Sequence, residues 1–391
     1  MIEEDYIQSL EPEMVRQRLR LAFVGGAYES AVGRVHRIAV EMDQRFQLVA
    51  GCFSRKAETS RTSALKYGID PCRAYHDINR LLASEVGKID AVVVLTPQDQ
   101  HGQHVLACLD AGFPVVCEKA LVTSSQDVLT IRNRLSASAG FLAVTYNYTG
   151  YPMLRELKRM INTGHLGRIQ QIHMEMPQEG FARLTAEGSP IVPQEWRLRD
   201  GYVPTLSLDL GVHLHMVARF LTGKTPEEVV ATASSLGNFK TVIDNVSCLV
   251  RYSGGVEGSI WYSKTAFGYR NGFKVRIFGT KGAAEWVQGS PEYLHVADNV
   301  GGKFVIDRTS RGIVVANQSR YQRFKAGHPA GFIEAFANYY YDVADALDHH
   351  LTGTHGMPHD DVFGIEESLD GLRMLEAIAR SSASRQWEHV T

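Results

Sequence analysis

Three side chains in this sequence could do chemistry together. Lys119 follows Glu118 at the end of the apolar run 114–117. If that run is a parallel strand, its carboxyl end opens on the crevice where open α/β sheets bind ligands. The lysine then faces whatever binds there. Asp209 and His213 stand four residues apart among Leu206, Leu208, Leu210, Val212 and Leu214. On a helix those two positions share a face. A carboxylate there orients the ring and stabilises its protonated form, so the imidazole serves as acid or base near neutrality. His215 points to another side, which makes His213-x-His215 a poor chelate, and no metal site is expected. Thr96-Pro97 and His101 occupy the matching end of the preceding apolar run. Each also has a plain structural reading: Lys119 as a loop lysine, Asp209 as the N-cap of a core pair. Their shared place at one sheet edge favours function.

The elements that position them fall into two groups. Apolar, nearly uncharged runs at 19–24, 46–53, 89–96, 114–117 and 141–145 suit strands buried on both faces. Helical spacing at 30–42, 57–67, 103–111 and 125–135 lies between them, which predicts a doubly wound parallel α/β domain over 18–150 after an extension at 1–17. After Gly150 a helix at 153–162 leads to strands at 169–176, 229–236, 245–252, 256–262, 273–278 and 283–287, joined by Gly-rich turns. Helices follow at 331–348 and 365–383. This predicts an α+β second domain at 151–391 with a large, mostly antiparallel sheet, whose terminal helices pack back on the first.

The first strand runs into Gly25-Gly26-Ala27-Tyr28-Glu29-Ser30-Ala31-Val32-Gly33. Such a turn, with Ser30 at the helix start, brings backbone N–H groups and a helix N-terminus against a pyrophosphate. The spacing is irregular: Ala27 stands where a second glycine is expected, and Gly33 comes three residues late. A plain structural turn is the other reading. The second strand ends in Cys52-Phe53-Ser54-Arg55-Lys56 without an acid for a ribose 2′-hydroxyl, which leans toward NADP over NAD, with Ser54 and Arg55 on the 2′-phosphate. Solvated basic residues at a helix start are the alternative.

Composition narrows the partners. The 391 residues are 44% hydrophobic and 21% charged, with 41 Lys and Arg against 43 Asp and Glu. No electrostatic footprint for nucleic acid or an acidic membrane results. No apolar stretch reaches the ~20 residues that span a bilayer, and residues 1–20 have no apolar leader. Five cysteines without C-x-x-C spacing read as reduced core thiols in a cytoplasmic protein. His349, His350, His355 and His359 read as solvated.

The chain resembles the Gfo/Idh/MocA oxidoreductases over nearly its whole length. Thr96-Pro97-x-x-x-His101 is similar to the family's T-P-N-x-x-H, with Gln98 for Asn. Glu118-Lys119-Ala120 resembles E-K-P, and Asp209-x-Gly211-x-His213 matches D-x-G-x-H, with Thr205 and Leu206 for the preceding glycines and Met216 for a following Asp. The segments 145–152, Trp196-Arg197 and 279–282 resemble one branch, as do the long Gly-rich turn and Val35-His36-Arg37. The resemblance implies an N-terminal Rossmann domain binding NAD or NADP and a C-terminal domain forming the substrate pocket and a homodimer or homotetramer interface. It implies hydride transfer with a sugar, inositol or related polyol. Lys119, Asp209 and His213 would be catalytic, and Gly25, Gly26, Ala27, Ser30, Ser54, Arg55, Thr96, Pro97, His101, Glu118 and Lys119 would hold coenzyme. Asn147, Tyr148, Trp196 and Arg197 are candidates for the sugar. Relatives also include glycoside-cleaving enzymes with transient redox and non-catalytic cofactor-binding regulators.

Overall fold

A computed structural model describes residues 17–353 and 361–391. Residues 1–16 of the expected 1–17 extension, His355 and His359 lie outside the described residues. Five apolar runs become five parallel strands: β1 (Leu19–Gly25), β2 (Phe46–Cys52), β3 (Ala91–Leu95), β4 (Val115–Glu118) and β5 (Leu142–Thr145). They bond in the order β2-β1-β3-β4-β5. The β3 run Ala-Val-Val-Val-Leu is buried throughout, because helices cover both faces and leave no polar side. Those helices are α1 (Ala31–Met42), α2 (Ala57–Tyr67), α3 (Ile78–Ser84), α4 (Gln98–Asp110) and α5 (Ser125–Ser138). The chain leaves β1 toward β2 on one side and reaches β3 on the other. The carboxyl ends of β1 and β3 therefore open at the switch point where such sheets bind ligands. Periodicity overlooked the seven-residue α3 and started α4 five residues late, because its first turn, Gln98-Asp-Gln-His-Gly102, is mostly polar.

Beyond Gly150 come α6 (Pro152–Asn162), β6 (Ile169–Pro177), α7 (Val212–Thr222), β7 (Pro226–Ser234), β8 (Asn245–Tyr252), β9 (Val256–Ser263), β10 (Lys274–Gly279), β11 (Gly282–Val287), β12 (Leu294–Asp298), β13 (Lys303–Ile306), α8 (Phe332–Thr352), α9 (Ile365–Ser384) and β14 (Glu388–His389). The nine strands order as β13-β12-β11-β10-β6-β9-β8-β7-β14. Only β6 and β9 pair in parallel. In β8, buried and exposed residues alternate, the signature of a sheet packed on one face. Sequence reading missed β12, β13 and β14. They are short and lie at or near the sheet edges, where exposed Lys303 and Phe304 give no buried pattern.

The last two helices return to the first sheet: α8 packs on α1 and α9 on α5. Val144 of β5 donates its N–H to the Phe363 carbonyl at 2.8 Å, and Asn338 of α8 caps the Gly150 carbonyl at 2.8 Å. Gly150 must be glycine, since a Cβ there would lie 1.9 Å from the Ala335 carbonyl oxygen. Among the described residues no helix is long and apolar enough to cross a membrane. Four cysteines are buried thiols, whereas Cys72 is exposed in the short turn Pro71–Arg73.

Candidate active site

β1 delivers Gly25 and Gly26 at φ +84° and +66°, which glycine adopts without penalty. A Cβ on Gly25 would sit 2.8 Å from the Leu95 carbonyl, so the glycine lets the ends of β1 and β3 meet. The late third glycine has a local cause. Residues 27–30 loop outward, Ser30 caps α1 by accepting the Gly33 N–H at 3.4 Å, and Gly33 itself lies on the turn. A Cβ at Gly33 would be 2.2 Å from the Gly26 carbonyl oxygen. A cavity of about 400 Å³ opens here, lined by Gly25, Gly26, Ser30, Ser54, Arg55, Thr96 and Pro97, with His76, Asp77 and His104. Ala27 is partly buried beside this lining. The turn, the α1 N-terminus and the cavity fit the pyrophosphate and adenosine of a dinucleotide. Gly33→Ala should therefore push α1 off the turn and weaken coenzyme binding about 10- to 100-fold, since backbone overlap of this kind costs ~1–3 kcal/mol. Calorimetric titration with NAD and NADP measures it, with Gly289→Ala, whose Cβ meets nothing within 4 Å, as the neutral control.

His101 is completely buried and lines neither this cavity nor the next. Its ring nitrogens lie 2.7 Å from the Thr96 carbonyl and 2.8 Å from the Ala120 carbonyl. It ties together the turns after β3 and β4 from beneath, a supporting place and not one in contact with a ligand.

A second cavity, about 680 Å³, lies at the carboxyl end of β4 between the two sheets. Glu118, Lys119, Asn147, Tyr148, Arg197, Asp209 and His213 all line it. The Lys119–Ala120 peptide is cis. Lys119 Nζ donates to the Asp209 carbonyl at 2.7 Å and to Asp209 Oδ1 at 3.0 Å. Asp209 sits in a wide π-type turn, Ser207–Gly211, that leads into α7. At Gly211 a Cβ would meet the tip of the Leu375 side chain at 2.9 Å and the Tyr262 ring at 3.2 Å, so the turn is packed closely there. Asp209 Oδ2 takes the Arg197 guanidinium and, at 2.5 Å, Lys264 Nζ. The expected pairing of Asp209 with the His213 ring is not formed, and Asp209 caps no helix. Three cations hold its carboxylate, and a charged donor outcompetes a neutral imidazole.

Electrostatics separate the groups. Burial alone would raise the Asp209 pKa, but Lys119, Lys264 and Arg197 hold it well below the carboxylate range. Burial and the neighbouring Lys119 charge pull His213 down to about 3. His213 is thus neutral at pH 7, edge-on to the Tyr148 ring at 4.7 Å, with Nδ1 buried and unpartnered. Burial also opposes ionisation of Glu118, yet the His36 Nε2 hydrogen bond at 3.0 Å, Lys119 and the Thr145 hydroxyl carry it down to about 2. His36 Nδ1 lies 2.6 Å from the Tyr340 hydroxyl of α8.

Tyr148 accepts from Asn271 Nδ2 at 2.8 Å, and Asn147 Nδ2 is buried without a partner. Trp196 stands outside both cavities as a half-exposed shelf, with the Arg197 guanidinium carbon 4.3 Å from its ring centroid. Sequence reasoning missed Lys264, which follows β9 directly and is buried at 5% exposure. The signal existed: a lone lysine after the run Ile-Trp-Tyr-Ser, the pattern that singles out Lys119. Among the described residues no cluster of three metal-ligating side chains occurs.

Comparison with known proteins adds an independent line. Residues 19–146 match a family described as an oxidoreductase family with an NAD-binding Rossmann fold, and residues 154–285 match the GFO/IDH/MocA C-terminal domain. The chain is 30% identical over 380 residues to an uncharacterized oxidoreductase, YfiI, of Bacillus subtilis, covering 94% of this chain and 96% of that one. It is 26% identical to the inositol 2-dehydrogenase of Rhizobium meliloti over 69% of this chain and 77% of that one. The crystal structure of an inositol dehydrogenase homolog from Azotobacter vinelandii, complexed with NADH and myo-inositol, superposes with a TM-score of 0.86 at 30% identity, covering 96% and 98% of the two chains.

Proposed function

This chain belongs to the Gfo/Idh/MocA oxidoreductase family, and from that premise we propose that it interconverts a secondary alcohol and a ketone on a sugar, inositol or related polyol. The observation that carries the reading is the single cavity at the carboxyl end of β4 that holds Lys119, Asp209 and His213. We assign coenzyme binding to 18–150 and substrate binding to 151–391.

A bound nicotinamide supplies the hydride acceptor or donor. The protein supplies the proton and the charge. Lys119 has three N–H groups, of which two are spent on Asp209. The third is free for the substrate oxygen, where it stabilises developing alkoxide. His213, neutral at pH 7, offers one ring nitrogen as acceptor for the hydroxyl proton, while Lys119 meets the charge left on the oxygen. Asp209 acts on the lysine and not on the imidazole, holding the ammonium aimed. Asn147 and Tyr148 are placed for neighbouring hydroxyls.

For the coenzyme, Ser54 and Arg55 at the adenosine end and the lack of an acid after β2 favour NADP. Asp77 lines the same cavity, but its Oδ1 is occupied capping α3 at the Arg80 N–H. Arg55→Ala should raise the KM for NADP about tenfold, the loss of one charged contact, and leave that for NAD nearly unchanged. An equal effect on both would remove the NADP reading. Leu249, Phe304 and Val305 on the second sheet are more than half exposed, which supports a homodimer or homotetramer; light scattering at the monomer mass would overturn it.

The test of the function is a panel of inositols and aldoses with each coenzyme, followed by absorbance of the reduced nicotinamide. Reduction by at least one polyol is expected. No reduction with any, or glycoside cleavage with no net coenzyme change, would sink the reading.

A further inference from the structure

The charges around Asp209 do not balance. Three cations converge on this one carboxylate: Lys119 on Oδ1, with Arg197 and Lys264 both on Oδ2. Lys119 is accounted for by the reacting oxygen. Arg197 and Lys264 belong to the substrate half of the cavity and have no such duty. The other acid lining the cavity, Glu118, is engaged by His36 and Thr145 on the far side of Lys119. Set against Asp209 alone, Arg197 and Lys264 leave one positive charge in excess in a space whose other wall is largely apolar; Arg197 keeps 27% of its side chain exposed, while Lys264 Nζ lies 5.2 Å from the Phe181 ring centroid. Burial makes such a charge costly unless an anion meets it. Lys264 cannot relieve it by turning to solvent, because its side chain is only 7% exposed. A second observation agrees: the Asn147 amide nitrogen, a donor in the same cavity and only 3% exposed, has no acceptor. The cavity sets three cations against the two carboxylates of Asp209 and Glu118, and a neutral polyol brings no charge.

We infer that the substrate is a polyhydroxylated carboxylic acid, its carboxylate received by Arg197 and Lys264 while a ring hydroxyl meets Lys119 and His213. The inference rests on the dehydrogenase reading above and narrows it. A planar guanidinium and an ammonium together match both oxygens of a carboxylate. As that carboxylate takes over Arg197, Asp209 is left to Lys119 and Lys264.

Matched pairs test it on the full chain with saturating coenzyme: D-glucuronate against D-glucose, D-galacturonate against D-galactose, and myo-inositol as the neutral ring. The acid of at least one pair should exceed its neutral partner in kcat/KM by about 10- to 100-fold, the worth of a charged hydrogen-bonded contact. Thermal shift of the protein loaded with NADH or NADPH, whichever it binds more tightly, should show stabilisation by the same acid and not by its partner. Arg197→Gln and Lys264→Gln should each collapse the acid-to-neutral ratio toward one. A neutral member preferred or equal in every pair, or myo-inositol above all the acids, overturns the inference and leaves the dehydrogenase reading standing. If neither acids nor neutral polyols reduce coenzyme, both fall together.

Discussion

Lys119→Met lowers kcat by about 10³-fold or more while coenzyme dissociation stays within about threefold. The loss is that of the cation at the reacting oxygen, a contribution of ~10²–10³, compounded by a less well placed alcohol. The protein survives the change because Asp209 keeps Arg197 and Lys264 as partners, and methionine fills the volume of the lysine stem. The pH profile gives a second readout that mere misfolding would not produce. His213 is held down to about 3 by burial and by Lys119. In the native protein the acid limb of kcat/KM therefore falls far below the ordinary imidazole value near 6.5, and activity stays level through pH 5. Without the lysine charge the residual activity should show that limb moving upward. A native limb centred near 6.5 would show that the ring is not held down, and survival of that limb in His213→Asn would remove His213 as the base.

Asp209→Asn costs about 3 kcal/mol of stability near neutral pH, in the range for stripping one partner from a buried charge network, together with nearly all turnover. Three cations are left facing one another, and of these only Arg197, at 27% side-chain exposure, can swing outward. Adding Lys264→Met to Asp209→Asn should recover most of the lost stability and none of the activity, a non-additivity that separates charge repulsion from packing. The sign with pH follows from the depressed carboxylate. Its contribution is complete above the unfolded value of ~3.9 and disappears as pH falls through the lower folded value, so the gap between native protein and variant narrows only in strong acid. Urea midpoints at pH 7 and in strong acid measure it. Equal gaps at both would show that Asp209 acts through shape alone.

Much of this was legible in the chain, for identifiable reasons. Uncharged β-branched runs such as 91–95 have one solution in a small domain, a strand with both faces covered, and the parallel sheet followed. Lys119 was visible because a charge directly after such a run must sit at a sheet edge. Lys264 obeys the same rule, yet the alternating polar positions of β9 disguised the run before it. Gly33 looked misplaced because a motif counts residues, whereas the turn counts the distance between two backbones. Asp209 and His213 were read as partners from helical spacing. Spacing carries no information about Arg197, 12 positions back, or Lys264, 55 positions on, which meet the carboxylate only in three dimensions. The strands β12 to β14, at or near the sheet edges, are too short, at five, four and two residues, to show a period.

The Phe363 carbonyl that receives Val144, and the Tyr340 hydroxyl beside His36, bear on how the nascent chain matures. Everything needed for the first sheet has been translated by residue 150, but α8 and the segment that docks on β5 follow some 200 residues later, roughly 10–40 s at ordinary elongation rates. Throughout that interval the α1 flank that awaits α8 stays bare. The coenzyme lobe is thus completed late, and a nascent chain should acquire nicotinamide affinity only once α8 and the segment around Phe363 have emerged.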